Sequence, residues 1–380
     1  MSLIALDARS IRKIETGLGR VAKNMIRSLA QIDVDHEYLL IQRSEMETPV
    51  VSDPRFRPVY VPYDIASLQN TIFFSDILKQ NRPTVYHSLY SFFPLNIPDQ
   101  VKTIVTIHDF NWIQRPSLAA SAAWKGVVNY CYGSPMHAHA TRIADHIVCI
   151  TGQTRDDLLH LFPETRAPVT VIHHGVDAVG LSTGEVRPEI KQYQGKRFML
   201  CVGNGRPYKN PEGTLDAFAK LKKDSSTQDI KLIMVGRGDR KSHMKSRARK
   251  AGIEGDLDFV GMVSDAELAF LMQQALLLSF PSFWEGFGLP VIEAFAFGCP
   301  VIATDMGALK EISGHAALMI KDPHDIDEIS RAMHTIIHEP STRERLRQAG
   351  LERAAAFSWD KAAQAYLDIY IQLLKDKTPG

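Results

Sequence analysis

The sequence predicts an α/β protein made of two Rossmann-like domains that face a central cleft. Short apolar segments typical of strands alternate with helical patterns, a polar segment interrupts this alternation, and a second alternating series follows. A chain of 380 residues has the length of two or three ordinary domains, so each series can form one domain. Ligands of such sheets bind beyond the carboxyl ends of the strands, so functional residues should directly follow strands.

The first series predicts seven strands within residues 1–178. Their sequences are LIALDA, EYLLIQ, RPVYVPY, TVYHSLY, KTIVTIHD, DHIVCIT and PVTVIHHG. After the first strand, Val21, Met25 and Leu29 recur at helical spacing, with Ile26 beside them. Strands that alternate with helices in this way indicate a mostly parallel sheet covered by helices.

The second series predicts six strands within residues 197–358. Their sequences are RFMLCVGN, KLIMVGRG, LDFVGMV, ALLLSFPS, PVIAT and AALMI. Residues 179–196, which are polar and contain several Gly, Pro, Ser and Thr, predict a linker between the two domains. Residues 359–380 predict a helix that packs back on the N-terminal domain.

The composition argues against several classes of protein. A net charge of +1 gives no overall basic field for nucleic acid. No apolar run approaches the ~18 residues of a membrane-spanning helix, and the first residues lack the pattern of a signal peptide. The 4 cysteines are far apart, which favours reduced thiols over disulfides or a metal site. We therefore expect a cytoplasmic protein, with peripheral contact to the cytoplasmic membrane face left open.

The segment GLGRVA, residues 17–22, fits the G-x-G-x-x-G/A fingerprint of a dinucleotide-binding turn. That fingerprint requires a tight turn after the strand and an acidic residue at the end of the next strand. Here the first predicted strand ends near Ala8, and the second ends at Arg43 without an acidic residue. The sequence thus disfavours a nicotinamide or flavin dinucleotide. Two interpretations of this segment remain: a flexible loop, or a loop whose backbone amides approach a phosphate.

The most informative segment is SFPSFWEGFGLPVIEAFAFGCPVIA, residues 279–303. It predicts a buried strand, a glycine loop, and a helix with Pro290 in its first turn and Gly298 at its end. The backbone amides at the start of that helix would bind an anion such as a diphosphate. Glu285 and Glu293 would point into the same cleft; helix capping accounts for Glu293 but not for Glu285.

Two further groups of residues follow predicted strands. The segment GNGRPYKNP, residues 203–211, places Arg206 and Lys209 in a turn, where a forked donor and a point charge suit a pyrophosphate. Two solvated cations in an exposed turn are the alternative. His108, followed by Asp109, ends a strand of the first domain and is either a buried structural histidine or a site residue.

These motifs resemble those of retaining glycosyltransferases with the GT-B architecture, and more narrowly the family 4 group of bacterial mannosyl- and glucosyltransferases. The matching segments, in order, are TGLGR, TIHDF, HHGVD, GNGRPYKN, FVGMVSDAEL and FWEGFGLPVIEAFAFGCPVIAT, and they cover essentially the whole chain. The two glutamates separated by seven residues are the most specific feature. His173 and His174 depart from the Pro-Asn of many members.

The resemblance implies roles for the candidate residues. Arg206 and Lys209 would stabilise the leaving diphosphate, while Glu285 and His108 would face the transferred sugar. Glu293 would bind the ribose hydroxyls. The remaining donor-binding candidates are the phosphate-covering Gly17, Leu18 and Gly19, the strand-end Gly203, the base-bordering Arg237, Val260, Gly261 and Met262, and the helix-start residues Gly286, Phe287, Gly288 and Leu289.

The resemblance also implies the reaction. A hexose, with mannose from GDP-mannose as first choice and a UDP-hexose as second, would move to a saccharide acceptor. We expect a lipid-linked acceptor from surface polysaccharide or glycolipid biosynthesis. A non-hydrolysing sugar-nucleotide epimerase and an inactive nucleotide-sugar-binding subunit are the alternatives.

We expect the nucleotide sugar as co-substrate and no metal or other cofactor. Asp33 and Asp35 form a D-x-D pattern, but in a predicted turn between a helix and a strand.

On the acceptor side, Phe92, Phe93 and Trp112 either contact sugar or lipid, or belong to the core. The basic run within residues 237–250 is either a solvated helix face or a membrane- or phosphate-binding patch.

Overall fold

The computed structural model describes residues 2–12, 16–46, 48–65, 67–116, 123–178, 182–203 and 205–375. The chain divides into two compact units, here called unit 1 (residues 1–175 and 358–380) and unit 2 (residues 176–357). Each unit contains one parallel sheet with helices between the strands. The prediction of an α/β protein with two domains is therefore confirmed.

Unit 1 contains a seven-stranded sheet with the order β3-β2-β1-β4-β5-β6-β7. All its neighbouring strands are parallel. The strands are β1 (Leu3–Asp7), β2 (Glu37–Arg43), β3 (Phe56–Val61), β4 (Val85–Ser88), β5 (Lys102–Ile107), β6 (His146–Cys149) and β7 (Val169–Val171). The connecting helices are α1 (Gly17–Ile32), α2 (Leu68–Asn81), α3 (Asn111–Gln114), α4 (Ala123–Ile143) and α5 (Gly152–Leu161).

Unit 2 contains a six-stranded parallel sheet with the order β10-β9-β8-β11-β12-β13. The strands are β8 (Phe198–Val202), β9 (Lys231–Val235), β10 (Leu257–Gly261), β11 (Leu277–Phe280), β12 (Val301–Thr304) and β13 (Leu318–Ile320). The helices are α6 (Pro188–Lys191), α7 (Pro211–Leu221), α8 (Lys241–Lys250), α9 (Asp265–Gln274), α10 (Leu289–Ala296), α11 (Gly307–Ser313), α12 (Ile326–His338) and α13 (Pro340–Ala354).

The strands of unit 2 are apolar on both faces because helices cover both sides of the sheet. Within β8, Met199 and Cys201 belong to one buried cluster, whereas Phe198 and Leu200 belong to the other. Side chains of successive strand residues point to opposite faces, so the two clusters are the two layers of the core. This explains why unbroken apolar runs, rather than alternating ones, predicted these strands.

Part of the segment predicted as a linker is folded into unit 2. Ile190 in α6 and the following Tyr193 are buried in one of its core layers. Arg187 donates hydrogen bonds to the carboxylate of Glu267 at the start of α9. The polar composition hid these contacts, because two apolar residues and one arginine suffice to attach the segment. Residues 179–181 lie outside the described residues.

The last described helix, α14 (Trp359–Lys375), belongs to unit 1 and packs against α1. Its Tyr370 hydroxyl lies 2.7 Å from Nδ1 of the fully buried His87 in β4. Nε2 of His87 lies 2.8 Å from the hydroxyl of Thr106 in β5. A polar chain inside the unit thus connects this helix to two central strands.

In the stretches of chain that the structure describes, no helix combines the length and apolar character needed to cross a bilayer.

Candidate active site

In unit 2, the strand order reverses between β8 and β11. The chain continues from β8 to β9 on one side of the sheet, while β11 lies on the other side of β8. In open α/β sheets a crevice forms at such a reversal, because the connections that follow the two strands run to opposite sides. Lys209 follows β8 and Glu285 follows β11, so the structure places two predicted catalytic residues at this reversal.

Lys209 and Glu285 form a close ion pair. The Lys209 Nζ lies 2.7 Å from Oε1 of Glu285 and donates a 2.8 Å hydrogen bond to Oε2. Their side chains are only 15% and 8% exposed, so each charge is largely shielded from water. Removing one partner would leave the other charge buried without compensation, which typically costs about 3–5 kcal/mol. The pair places an ammonium group and a carboxylate at one point of the crevice.

Two residues that were not predicted from the sequence hold the loops of this crevice. The backbone carbonyl of Tyr208 accepts a 2.8 Å hydrogen bond from the amide of Phe283, which joins the loops after β8 and β11. The buried Asn210 accepts from the amide of Gly213 and so caps α7, while its amide group donates to the carbonyls of Pro281 and Pro323. Asn210 therefore fixes the position of Lys209 relative to the neighbouring loops.

Helix α10 begins beside Glu285. Gly288 is its N-cap in the left-handed conformation, with φ of 98°, and Pro290 lies in its first turn. As a glycine, this N-cap has no side chain that could cap the helix. The positive φ favours glycine at position 288, where a Cβ would also lie 2.8 Å from Cδ2 of Leu309. Glu293 and Phe287 are buried, with Glu293 4% exposed, and Leu289 is the first residue of the helix.

A concave space lies next to Lys209, between the loops that follow β8 and β9. Gly203 and Arg237 contribute to its wall, as do the apolar side chains of Met234 and Phe259. Three residues predicted to bind the donor, including Lys209, therefore surround one cavity. The apolar wall and the surrounding cations suit a planar, partly polar group.

Further candidates of unit 2 lie at the end of β10 and on adjacent loops. The carbonyl of Gly261, at the end of β10, accepts a 2.9 Å hydrogen bond from the amide of Gly236, so the loops after β9 and β10 are joined. Val260 is half-buried and Met262 is 51% exposed. Arg206 is exposed and precedes the 3-10 turn that contains Lys209.

In unit 1, the glycines that fit the dinucleotide fingerprint lie in a helix rather than in a loop. Gly17, Leu18 and Gly19 form the first turn of α1, which Thr16 caps by accepting a 3.1 Å hydrogen bond from the amide of Gly19. A Cβ at position 19 would lie 2.8 Å from the carbonyl oxygen of Ser10. Close packing against the preceding loop is therefore a sufficient reason for glycine at position 19.

His108 is buried at the carboxyl end of β5 in unit 1. Its Nε2 lies 2.9 Å from the carbonyl oxygen of Leu89, and burial lowers its pKa to about 4. Because a carbonyl only accepts hydrogen bonds, Nε2 carries the proton and Nδ1 is the acceptor of a neutral ring. The ring lies 5.6 Å from that of His174, centroid to centroid. His108 is thus a neutral hydrogen-bonding group and not a cation near neutral pH.

Other candidate features of the sequence have structural partners. Phe92 and Phe93 are buried in the core of unit 1, and Trp112 packs 5.5 Å from the Phe92 ring, centroid to centroid. In the basic run on α8, Arg247 donates to Asp216 and Arg249 donates to Glu254. These two arginines are therefore ion-paired within unit 2.

The two units, each a parallel sheet covered by helices, are Rossmann-like domains, and the candidate site suits an enzyme. The family model described as "Glycosyl transferases group 1" matches residues 182–353, and the model "Glycosyltransferase Family 4" matches residues 16–179. The chain belongs to the GT-B glycosyltransferases of the family 4 type. The predicted family and the prediction of a glycosyl-transferring enzyme are therefore confirmed.

Several curated proteins are similar to this chain. O-antigen chain mannosyltransferase B of Escherichia coli is 27% identical over 77% of this chain and 75% of its own length. D-inositol 3-phosphate glycosyltransferase of Nocardioides sp. is 31% identical over 60% of this chain. MMP alpha-(1->4)-mannosyltransferase of Mycolicibacterium hassiacum is 27% identical over 70%. The matches span 53% and 64% of the latter two proteins.

Solved structures support the same fold at lower sequence identity. Sucrose-phosphate synthase from Thermosynechococcus elongatus aligns with a TM-score of 0.78 and 17% identity over 99% of this chain and 100% of its own. WaaG, a glycosyltransferase involved in lipopolysaccharide biosynthesis, aligns with a TM-score of 0.74 and 17% identity, covering 96% and 99% of the two chains. At this identity the similarity concerns the fold alone.

Proposed function

We propose that the enzyme transfers a hexose from a nucleotide sugar to a saccharide acceptor with retention of the anomeric configuration. The observation that carries this proposal is the shielded Lys209–Glu285 pair beside the start of α10, where the strand order of unit 2 reverses. It combines a cation for the leaving diphosphate with a carboxylate for the transferred sugar. Both groups are needed at the bond that breaks between anomeric carbon and phosphate oxygen.

The leaving diphosphate would bind where positive charge is concentrated. Lys209 supplies a point charge, the exposed Arg206 a forked donor, and the first amides of α10 the positive end of a helix dipole. Negative charge accumulates on the departing phosphate during transfer, so these groups stabilise the transition state more than the bound donor. Loss of one such group typically lowers the rate by roughly 100–1,000-fold.

Glu285 would then change partners when the donor binds. Both of its oxygens lie within 2.8 Å of the Lys209 Nζ. A diphosphate that attracts the ammonium group would release these oxygens to accept hydrogen bonds from sugar hydroxyls. In this proposal Glu293 binds the ribose, and His108, with Gly17, Leu18 and Gly19, contributes from unit 1. No metal or cofactor takes part, so transfer should persist in EDTA.

GDP-mannose is the first choice of donor. The O-antigen mannosyltransferase and the MMP mannosyltransferase, both 27% identical to this chain, support mannose. The D-inositol 3-phosphate glycosyltransferase and a glycogen synthase of Mycobacterium tuberculosis, the latter 28% identical, are relatives whose names do not specify mannose, so a UDP-hexose stays the second candidate. The cavity next to Lys209 is where we propose that the base binds.

The proposed acceptor is a lipid-linked saccharide of surface polysaccharide biosynthesis. The support is the name of the O-antigen relative, which matches over most of both chains. Peripheral contact with a membrane is part of this proposal. Binding to anionic vesicles at low salt would support it, and no binding under those conditions would contradict it.

The test is release of nucleoside diphosphate from a panel of GDP- and UDP-sugars, with and without crude lipid-linked acceptor. We expect one donor to be used. Lys209→Ala and Glu285→Gln should each lose turnover strongly, whereas Lys220→Ala, which removes an exposed lysine paired with Asp327, should not. Unchanged turnover in Glu285→Gln would contradict the site. NMR of the product tests retention, and a 2-epimer without diphosphate release would instead identify an epimerase.

A further inference from the structure

Two histidines on the last turns of α12 face one aspartate of a neighbouring segment. His334 and His338 are four residues apart, so their side chains leave the same face of the helix. Their ring centroids are 4.2 Å apart. Asp224 lies between α7 and β9, and its Oδ2 is 3.5 Å from Nε2 of His334 and 3.4 Å from Nε2 of His338. The three side chains therefore converge on one point.

The two oxygen–nitrogen distances match tetrahedral metal coordination. Zinc binds imidazole nitrogen at about 2.0–2.1 Å and carboxylate oxygen at about 2.0–2.2 Å, which separates two tetrahedral ligand atoms by about 3.4 Å. The two oxygen–nitrogen distances agree with this value, and all three donor atoms lie within 4.8 Å of one another. We propose that Asp224, His334 and His338 bind a divalent transition metal ion such as zinc.

The chemistry of the ligands selects the kind of ion. Two imidazoles and one carboxylate suit zinc, cobalt, nickel or copper, whereas calcium and magnesium require mostly oxygen ligands. The hydroxyl of Ser226 lies 3.3 Å from Nε2 of His338 and donates a 2.8 Å hydrogen bond to Oδ1 of Asp224. The hydrogen bond from Ser226 to Oδ1 orients the carboxylate so that Oδ2 faces the two rings. Water would occupy the fourth position.

The proposed metal site lies away from the donor site. Helix α12 follows β13 and runs back along the sheet, so its last turn lies at the edge where the strands begin. Asp224 precedes β9 and lies at the same edge, whereas Lys209 and Glu285 follow the carboxyl ends of their strands. A metal here would connect the end of α12 to the segment after α7. It would stabilise unit 2 without taking part in transfer.

The full chain, freed of any affinity tag and stripped with EDTA, is the material for the test. Zinc binding is measured by calorimetry, and cobalt binding by the visible spectrum of tetrahedral coordination. We expect one ion per chain and a thermal midpoint that rises with zinc concentration, because the metal binds the folded state. Diphosphate release should not change on EDTA treatment at a temperature where the chain is folded.

Variants assign the binding to these residues. His334→Ala, His338→Ala and Asp224→Asn should each weaken zinc binding by more than about 100-fold, since outer-shell partners alone are worth roughly 10–100-fold. His243→Ala, which removes another exposed histidine of unit 2, should bind like the original chain. Unchanged thermal midpoints without metal would show that the variants fold. No saturable binding, or equal binding in the double histidine variant, would overturn the proposal and leave only an ion-paired surface cluster.

Discussion

At the residue scale, Gly288 connects local backbone geometry to the site. Its φ is 98°, and a Cβ at this position would lie 2.8 Å from Leu309, so any side chain is strained there. We predict that Gly288→Ala lowers the free energy of unfolding by about 1–3 kcal/mol. It should also lower diphosphate release, because the first amides of α10 would shift. Chemical denaturation and the turnover assay measure the two effects.

Gly255→Ala is the matched control for this substitution. Gly255 belongs to the same unit, has no positive φ, and a Cβ there would meet no atom within 4 Å. It should change neither stability nor turnover appreciably. Equal behaviour of the two variants would contradict the structural role assigned to Gly288.

The site residues differ in how far the sequence could predict them. Glu285 and Lys209 lie in motifs where charge, glycine and proline occur together, so a local pattern indicated both. Asn210 does not stand out locally, because its partners Pro281 and Pro323 are 71 and 113 residues away. Its only local signal is an Asn-Pro pair at a helix start, which predicts a cap but not the two contacts between loops.

At the element scale, the sequence predicted all thirteen strands that the structure describes, most of them because a parallel strand covered on both faces is a nearly unbroken apolar run. The strand order was beyond such patterns, since it depends on which runs pair. That order is what brings the loops after β8 and β11 together. The contacts of the segment around α6 could not be predicted, because the few residues that attach it to unit 2 stand among many polar ones.

The attachment of this segment predicts a pH-dependent contribution to stability. Hydrogen bonds from Arg187 lower the pKa of Glu267 to about 2. A carboxyl group with a lowered pKa stabilises the fold above its unfolded pKa, about 4.3, and loses this effect as the pH falls towards 2. We predict that Arg187→Met destabilises the fold near neutral pH, because the buried carboxylate of Glu267 loses its partner, and that this difference shrinks below about pH 4.

Urea denaturation of both proteins as a function of pH measures this difference. Arg197→Met provides the control, because Arg197 pairs with Asp229 at an exposed position of the same unit. That substitution should have little effect at any pH. A cost of Arg187→Met that stays constant down to about pH 3, below the unfolded pKa, would show that packing, and not the ion pair, holds the segment.

At the scale of the whole molecule, the two units differ in where their histidines lie. In unit 1, His87, His108, His137 and His174 are buried, and burial lowers the pKa of each, to about 3 for His87 and about 4 for His108 and His137. In unit 2, every histidine is exposed, and the structure describes them all. Lowering the pH should therefore destabilise unit 1 before it destabilises unit 2.

The direction follows from proton binding. Below about pH 6.5 a histidine of the unfolded chain binds a proton, whereas the buried ring of the folded chain stays neutral. The free energy of unfolding therefore decreases as the pH falls. Each such histidine should cost unit 1 roughly 1–2 kcal/mol by about pH 5. Hydrogen exchange should show protection in unit 1 decreasing between about pH 7 and about pH 5, while the protection of unit 2 changes less.

His87→Gln tests the assignment, because glutamine can still hydrogen-bond between Tyr370 and Thr106. The variant should lose some stability near neutral pH through imperfect packing. Between about pH 5 and about pH 6, however, the slope of its unfolding free energy against pH should decrease by about 1 kcal/mol per pH unit, since one proton fewer is taken up on unfolding. His243→Gln, at an exposed position, should keep the original slope. An unchanged slope in His87→Gln would mean that the pH dependence of unit 1 arises from other groups.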